Sequence, residues 1–167
     1  MILKVESAEI AKDKVLKFLG YSKKRPTPII LKKLDNVLNE VYKLLDIQVI
    51  VRKLIIKSIS DKKIGLDDGT VIESEYACKQ LMDSKYVYVA IYTLGDKIDI
   101  KISSYFESNE SISGIILDKI GVVCLDNINY QIKEFISNDL GDLNISSEIY
   151  PSTKDFDISN QKKFITY

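Results

Sequence analysis

Lys85-Tyr-Val-Tyr-Val-Ala-Ile-Tyr92, then Thr93-Leu94-Gly95, then a long apolar-periodic stretch to Phe135: this run decides the fold. Six of the first eight residues are β-branched or aromatic, with Ala90 among them and one lysine at the edge, a composition that predicts a buried strand. From Glu110 to Asp139, Ile112, Ile115, Ile116, Ile120, Val123, Cys124, Ile128, Ile132 and Phe135 recur at helical spacing. The stripe is broad, so it predicts a largely buried helix. Gly114 and Gly121 fall seven apart on one face of it. Each weakens the helix by about 1 kcal/mol relative to alanine, which leaves two readings: incidental glycines, or close packing of that face on the sheet or a ligand. Between corner and helix, Ile98-Asp-Ile-Lys-Ile102 alternates like a strand, while Ile98, Ile102, Tyr105 and Phe106 also suit a helix.

Upstream, Ser7 can cap a short helix with Ile10, Val15, Leu16 and Leu19 before Gly20, a natural stop. Tyr21-Ser-Lys-Lys-Arg-Pro26 is a basic, turn-prone connection. Thr27 then caps and Pro28 takes the first position of a helix carrying Ile30, Leu31, Leu34, Val37, Leu38, Val41 and Leu45. Ile47 to Ile59 is β-branched and predicts a strand. Asp67-Asp68-Gly69, between Ile64-Gly-Leu66 and Thr70-Val-Ile72, predicts a hairpin turn. Ser74 opens a short helix through Leu81. After Gly141 come an extended piece, Ile145 to Tyr150, a turn at Pro151-Ser-Thr-Lys154, and a last helix from Ile158 to Phe164. There is no internal repeat and no domain-scale linker, so one α+β domain over residues 1–167 is expected.

Composition narrows the function classes. Apolar residues make up 46% and charged residues 29% of 167, a ratio that supports a packed core. Lysine plus arginine equal aspartate plus glutamate at 24, and zero net charge argues against a large nucleic-acid footprint. Only Arg25 and Arg52 are arginines, so bidentate recognition of carboxylate or phosphate has few candidates. Cys78 and Cys124 sit in apolar helical patterns and read as small core residues in a reducing compartment. Met1-Ile-Leu-Lys-Val-Glu6 is charged too early for a signal peptide, and no apolar run reaches the roughly 20 residues of a membrane span. A cytoplasmic location is the expectation.

Catalytic vocabulary is sparse. With no histidine, the chain offers no imidazole base, no imidazole-based zinc site and no axial histidine for cobalt. No P-loop, Cys-x-x-Cys or Gly-x-Gly-x-x-Gly occurs. Asp126 and Asp99 are each readable as solvated helix-face carboxylates. Thr93 most simply ends a strand, its hydroxyl satisfying free N–H groups of the helix that follows.

Val15-Leu16-Lys17-Phe18-Leu19-Gly20-Tyr21, the Pro28 helix, Ile72-Glu73-Ser74, the Thr93-Leu94-Gly95 corner, Asp118-x-x-Gly121, and Asp155-Phe156 with Gln161 six positions after the acid occur in this order. In their order and spacing they resemble the activation domain of cobalamin-dependent methionine synthase, in its free-standing bacterial form. That resemblance implies an α+β fold with a twisted, mostly antiparallel sheet packed with helices, and it favours a helix over Ile98–Ser104. It implies S-adenosylmethionine (AdoMet) as methyl donor for reactivating oxidised cobalamin, which a partner methionine synthase or other corrinoid protein would hold, and a flavodoxin-like electron donor. Independently of the resemblance, missing imidazole and sparse cysteine predict no metal of the chain's own, and the neutral charge and lack of a long apolar run predict no nucleic-acid or membrane partner.

For AdoMet recognition the resemblance points to Asp126, where relatives carry a glutamate. It also points to Glu148, Tyr150, Pro151, Ser152 and Thr153, which take the place of an Arg-x-x-Pro-Gly-Tyr loop. Here only the proline is kept: arginine has become Glu148, glycine Ser152 and tyrosine Thr153. Relatives continue with further strands beyond the position of Tyr167. Two functions follow as expectations: an accessory module for reductive reactivation of cobalamin, or a docking module that has lost AdoMet binding.

Overall fold

The computed structural model describes residues 8–165. Its elements, in chain order, are α1 (Lys12–Phe18), α2 (Pro28–Val41), β1 (Gln48–Ile59), β2 (Lys63–Leu66), β3 (Val71–Glu73), α3 (Glu75–Leu81), β4 (Tyr86–Thr93), α4 (Lys97–Glu107) and α5 (Ser111–Leu140). A 3₁₀ turn (Ile158–Gln161) and a short α6 (Lys162–Ile165) follow. The class is α+β, with a four-stranded sheet of order β3-β2-β1-β4 packed with helices. β1 and β2 pair antiparallel, as do β2 and β3. The Ile56 N–H donates to the Lys85 carbonyl, and the Asp46 N–H to the Leu94 carbonyl, which sets β4 antiparallel to β1. Chain contacts divide the described residues into two compact units, 50–91 with 134–165 and 8–49 with 92–133.

In the first unit, one apolar cluster joins Leu54 of β1, Ile64 and Leu66 of β2, Ile72 of β3, Ala77, Cys78 and Leu81 of α3, and Phe156. Val87, Val89, Ile149 and Phe164 close it from the sides. The hairpin turn forms where Asp67-Asp68-Gly69 predicts it. Gly69 takes φ +87, the Thr70 N–H donates to Asp68 Oδ1 at 2.9 Å, and Asp67 Oδ1 accepts the Ile55 N–H at 2.9 Å. Arg52 pairs with Asp68 at 3.0 Å. α3 begins as expected, with Ser74 Oγ accepting the Ala77 N–H.

The second unit is helical. Thr27 caps α2 by accepting the Ile30 N–H, and Leu34, Val37, Leu38 and Val41 are its buried face; Leu31 is exposed and Leu45 lies beyond its end. α1 ends in a Schellman motif: Gly20, at φ +88, donates to the Lys17 carbonyl and Tyr21 to that of Leu16. Asn109, at φ +60, makes the same motif after α4, donating to Phe106, while Glu110 donates to Tyr105. Ser7, read from sequence as the cap of α1, lies outside the described residues; the helix starts after Ala11. Ile98–Ser104 is helical, with Ile98 buried and Ile102 and Tyr105 half-buried one and two turns on.

Several expectations need correction. β4 is half-buried rather than buried, because β1 is its sole neighbour among the described strands. Ile112 and Ile115 are 43% and 45% exposed. α5 buries Ile116, Leu117, Ile120, Val123, Cys124, Ile128, Ile132 and Ile136, and at 3.6 residues per turn Ile115 projects from the side opposite Leu117 and Cys124. Within the second unit the two glycines of α5 face residues of α4 and of the corner before it. A Cβ on Gly114 would lie 3.1 Å from the Phe106 ring, and one on Gly121 3.8 Å from Leu94.

Ile120→Ala should cost about 2–5 kcal/mol of stability, whereas Ile115→Ala should stay within about 0.5 kcal/mol. Urea unfolding of both variants checks the assignment of faces on α5, and equal losses would reject it.

Candidate functional site

Asp126 sits on the exposed side of α5, 3.3 Å from Lys14 of α1. With Asn127, Asn129, Tyr130 and Lys133 these two residues line an open cleft of about 370 Å³ in the helical unit. The Glu9 N–H donates to Asn127 Oδ1 at 3.1 Å, which keeps the chain before α1 against this stretch of α5. Two lysines against one carboxylate leave this lining one net positive charge, so it suits an anionic or hydroxylated group better than a cation.

The segment 148–156 belongs to the sheet-containing unit. Ile149 packs into the cluster, so its neighbours Glu148 and Tyr150 face outward, and the Tyr150 phenol donates to Glu148 Oε1. The turn closes through three backbone bonds: Thr153 N–H to the Tyr150 carbonyl at 3.2 Å, Ser152 N–H to the Phe156 carbonyl at 2.7 Å, and Phe156 N–H to the Thr153 carbonyl at 3.0 Å. Ser152 takes φ +74 and Lys154 φ +53. Both lie in the left-handed region, which costs a residue with a Cβ about 1 kcal/mol.

What holds this turn in place is Asp155. Its carboxylate accepts the Ser74 hydroxyl at 2.9 Å, the Glu75 N–H at 2.6 Å and the Tyr76 N–H at 3.1 Å, at the start of α3. Loss of hydration pushes the Asp155 carboxyl upward, but the Tyr76, Ser74 and Glu75 donors outweigh it and hold the group below the usual carboxylate range. Lys154 lies 4.5 Å from the centre of the Tyr76 ring. Sequence reading noted Asp155-Phe156 only as a pattern. The signal for the clip is an acid beside a core phenylalanine, and its target, a helix start some eighty residues upstream, is not legible locally.

A second opening in the same unit, about 350 Å³, is lined by Val51, Arg52, Lys53, Leu54, Tyr88, Phe135 and Asp139. Lys53 continues the face of Val49 and Val51, so a charge stands where alternation calls for an apolar residue. It lies over the rings of Tyr86 and Tyr88 at 4.8 and 5.3 Å, and 2.8 Å from Asp139, which also accepts the Tyr88 phenol. The bond to Asp139 raises Lys53 above its ordinary value, and bonds from Lys53 and then Tyr88 lower Asp139. Burial, then the bond to Asp139, raises Tyr88. At neutral pH the amine is therefore charged and the phenol protonated, and neither is a nucleophile or a base. Sequence reading missed this cluster, because its members lie on β1, β4 and α5.

The remaining candidates are structural. Thr93 Oγ1 accepts the Gly95 N–H at 3.1 Å and makes a turn; α4 starts after Asp96 with no side-chain cap, contrary to the expected role of Thr93. Gly95 takes φ +82 and lets Asp46 approach, since a Cβ there would stand 2.8 Å from the Asp46 Cβ. The Asp99 side chain is exposed, and its carbonyl accepts the Ser103 hydroxyl. Cys78 and Cys124 are buried free thiols, and burial pushes Cys124 up to about 11, so neither is reactive in the folded chain. No helix among the described residues is long and apolar enough to cross a membrane.

No protein-family model and no curated protein matches the chain.

Ser152→Gly should stabilise the protein by about 0.5–1 kcal/mol, read as a higher urea midpoint at unchanged m-value, since glycine occupies left-handed φ without penalty. The Asp155 clip carries a pH signature. Its folded pKa is depressed, so its contribution is complete above the ordinary aspartate value of about 4 and is lost as pH falls through the depressed one. Amide exchange at Glu75 and Tyr76, corrected for intrinsic rate, should lose protection in that acid range before the Leu54–Phe156 cluster opens; simultaneous loss with Ile64 would contradict it.

Proposed function

We propose that the chain is an accessory module for reductive reactivation of cobalamin in methionine synthase or a related corrinoid methyltransferase, with a weakened AdoMet site. The observation that carries this reading is Ser152 at φ +74. The resemblance assigns a glycine to this position, and glycine is the residue that left-handed backbone favours. A backbone that retains a glycine's conformation under a serine is what a degenerate copy of the Pro-Gly turn would have. The neighbouring Pro151 and the anchoring Asp155-Phe156 pair agree with that register.

The same turn argues for weak AdoMet binding. Glu148 stands where the resemblance places an arginine, so an acid would face the carboxylate of the ligand. Replacing attraction by repulsion removes several kcal/mol, and each 1.4 kcal/mol is tenfold in affinity. Arg52 does not substitute for it, being paired with Asp68 in the hairpin. Asp126, on the helical unit, would contribute to recognition as the shorter counterpart of a glutamate. Cobalamin itself would be held by the partner protein, and the electron would come from a flavodoxin-like donor.

A second reading, a docking module without AdoMet chemistry, is favoured by one observation: the Glu148 carboxylate already accepts the Tyr150 phenol within the loop. Calorimetry separates the two. The chain should bind AdoMet weakly, on the order of millimolar, and Glu148→Arg with Ser152→Gly should tighten binding at least about tenfold. In a coupled assay, a methionine synthase lacking its own activation domain, in the cob(II) state, should regain methylcobalamin absorbance when this chain, AdoMet and reduced flavodoxin are added. If the double variant neither binds nor reactivates, the docking reading replaces the first.

A further inference from the structure

Between Asp13 and Asp35 the sequence contains no carboxylate, yet it holds Lys14, Lys17, Lys23, Lys24, Arg25, Lys32 and Lys33, seven of the 24 cations of a chain with zero net charge. The structure gathers this segregated charge at one corner of the helical unit. Lys17 is in the last turn of α1, Lys23, Lys24 and Arg25 are in the connection, and Lys32 is in α2. Lys14 and Lys33 are engaged, with Asp126 and Glu110. Among the described residues, no carboxylate lies within ion-pair distance of Lys17, Lys23, Lys24, Arg25 or Lys32, and all five are exposed. Phe18 and Ile29, 49% and 66% exposed, stand beside them.

We infer that the α1–α2 corner is a docking surface for an acidic face of another protein. Five cations with no carboxylate at ion-pair distance among the described residues create a local positive potential, and such patches steer association with a complementary surface. Phe18 and Ile29 supply apolar contact area at the same corner, of the kind that stabilises the docked complex after encounter. A nucleic acid fits less well: four of the five cations are lysines, bidentate phosphate recognition prefers arginine, and the chain's isoelectric point is about 6.3. An anionic membrane fits less well too, because Asp13 lies about one turn before Lys17 on α1 and an extended negative surface would meet it as well. A protein can place its acids opposite the corner alone. This inference rests on charge placement and not on the AdoMet site.

Fluorescence anisotropy with a labelled Glu-Asp repeat peptide tests it on the whole chain. Binding should weaken at least about tenfold between about 50 and 300 mM NaCl, as screening shortens the reach of exposed charges. Lys23→Gln/Lys24→Gln/Arg25→Gln should weaken it at least about tenfold at low salt, since several modest pair terms are lost together. Lys57→Gln/Lys62→Gln/Lys85→Gln, with the same charge change on the other unit, should leave it unchanged. Lys17→Gln/Lys32→Gln gives the same loss through helix positions should the first variant misfold. Equal loss in both triple variants would reduce the effect to net charge and overturn the inference. Tighter binding to single-stranded DNA or to phosphatidylglycerol vesicles than to the peptide would also overturn it.

Discussion

The three hydrogen bonds that Asp155 accepts at the start of α3 are the constraint on which the candidate loop depends. They fasten the segment after α5 to a helix more than seventy residues upstream, and Phe156 follows directly into the cluster of Leu54, Ile64 and Leu81. Charge and burial act at adjacent positions. The carboxylate satisfies helix N–H groups that would otherwise lack partners, and the phenylalanine removes apolar surface from water. Between this anchor and Ile149, which packs into the same cluster, the chain has few residues in which to turn. Left-handed φ at Ser152 and Lys154 is the geometric consequence. The strain is local, and the anchors on both sides supply what offsets it.

The second polar constellation works differently. Lys53, Tyr88 and Asp139 satisfy one another at the rim of an apolar opening, and Tyr86 completes the shell around the ammonium. A carboxylate in the last turn of α5 is disfavoured by the helix dipole, and the ammonium at 2.8 Å offsets that. The cluster thus orders β1, β4 and the end of α5 without supplying a reactive group at neutral pH. The absence of histidine likewise removes imidazole as a proton-transfer group.

Helix starts and stops were legible because their determinants lie within a few residues. Thr27-Pro28, Ser74, Gly20 and the Asp-Asp-Gly turn each act through hydrogen bonds or φ preferences spanning four positions or fewer. The stripe of α5 was legible in period but not in width. Ile112 and Ile115 have the same composition as Ile116 and Ile120, and only the placement of neighbouring elements decides which of them meets solvent. Thr93 was misread for a related reason: its hydroxyl accepts the Gly95 N–H within the corner, where Gly95 packs closely on Asp46, and α4 begins only after Asp96.

Sequence by itself determined the α+β class, the hairpin, the starts of α2 and α3, the stop of α1 and the lack of imidazole side chains, because these follow from local preference, period and residue inventory. It also set the charge segregation between Asp13 and Asp35, which is a matter of counting. Only the tertiary structure decided that Asp155 caps α3, that Lys53, Tyr88 and Asp139 converge, that Gly114 makes room for Phe106, and that Asp126 pairs with Lys14. Each of these is a contact between distant parts of the chain. Such contacts depend on how packed elements are oriented, and a residue's neighbours along the chain carry no information about what folding brings across from it.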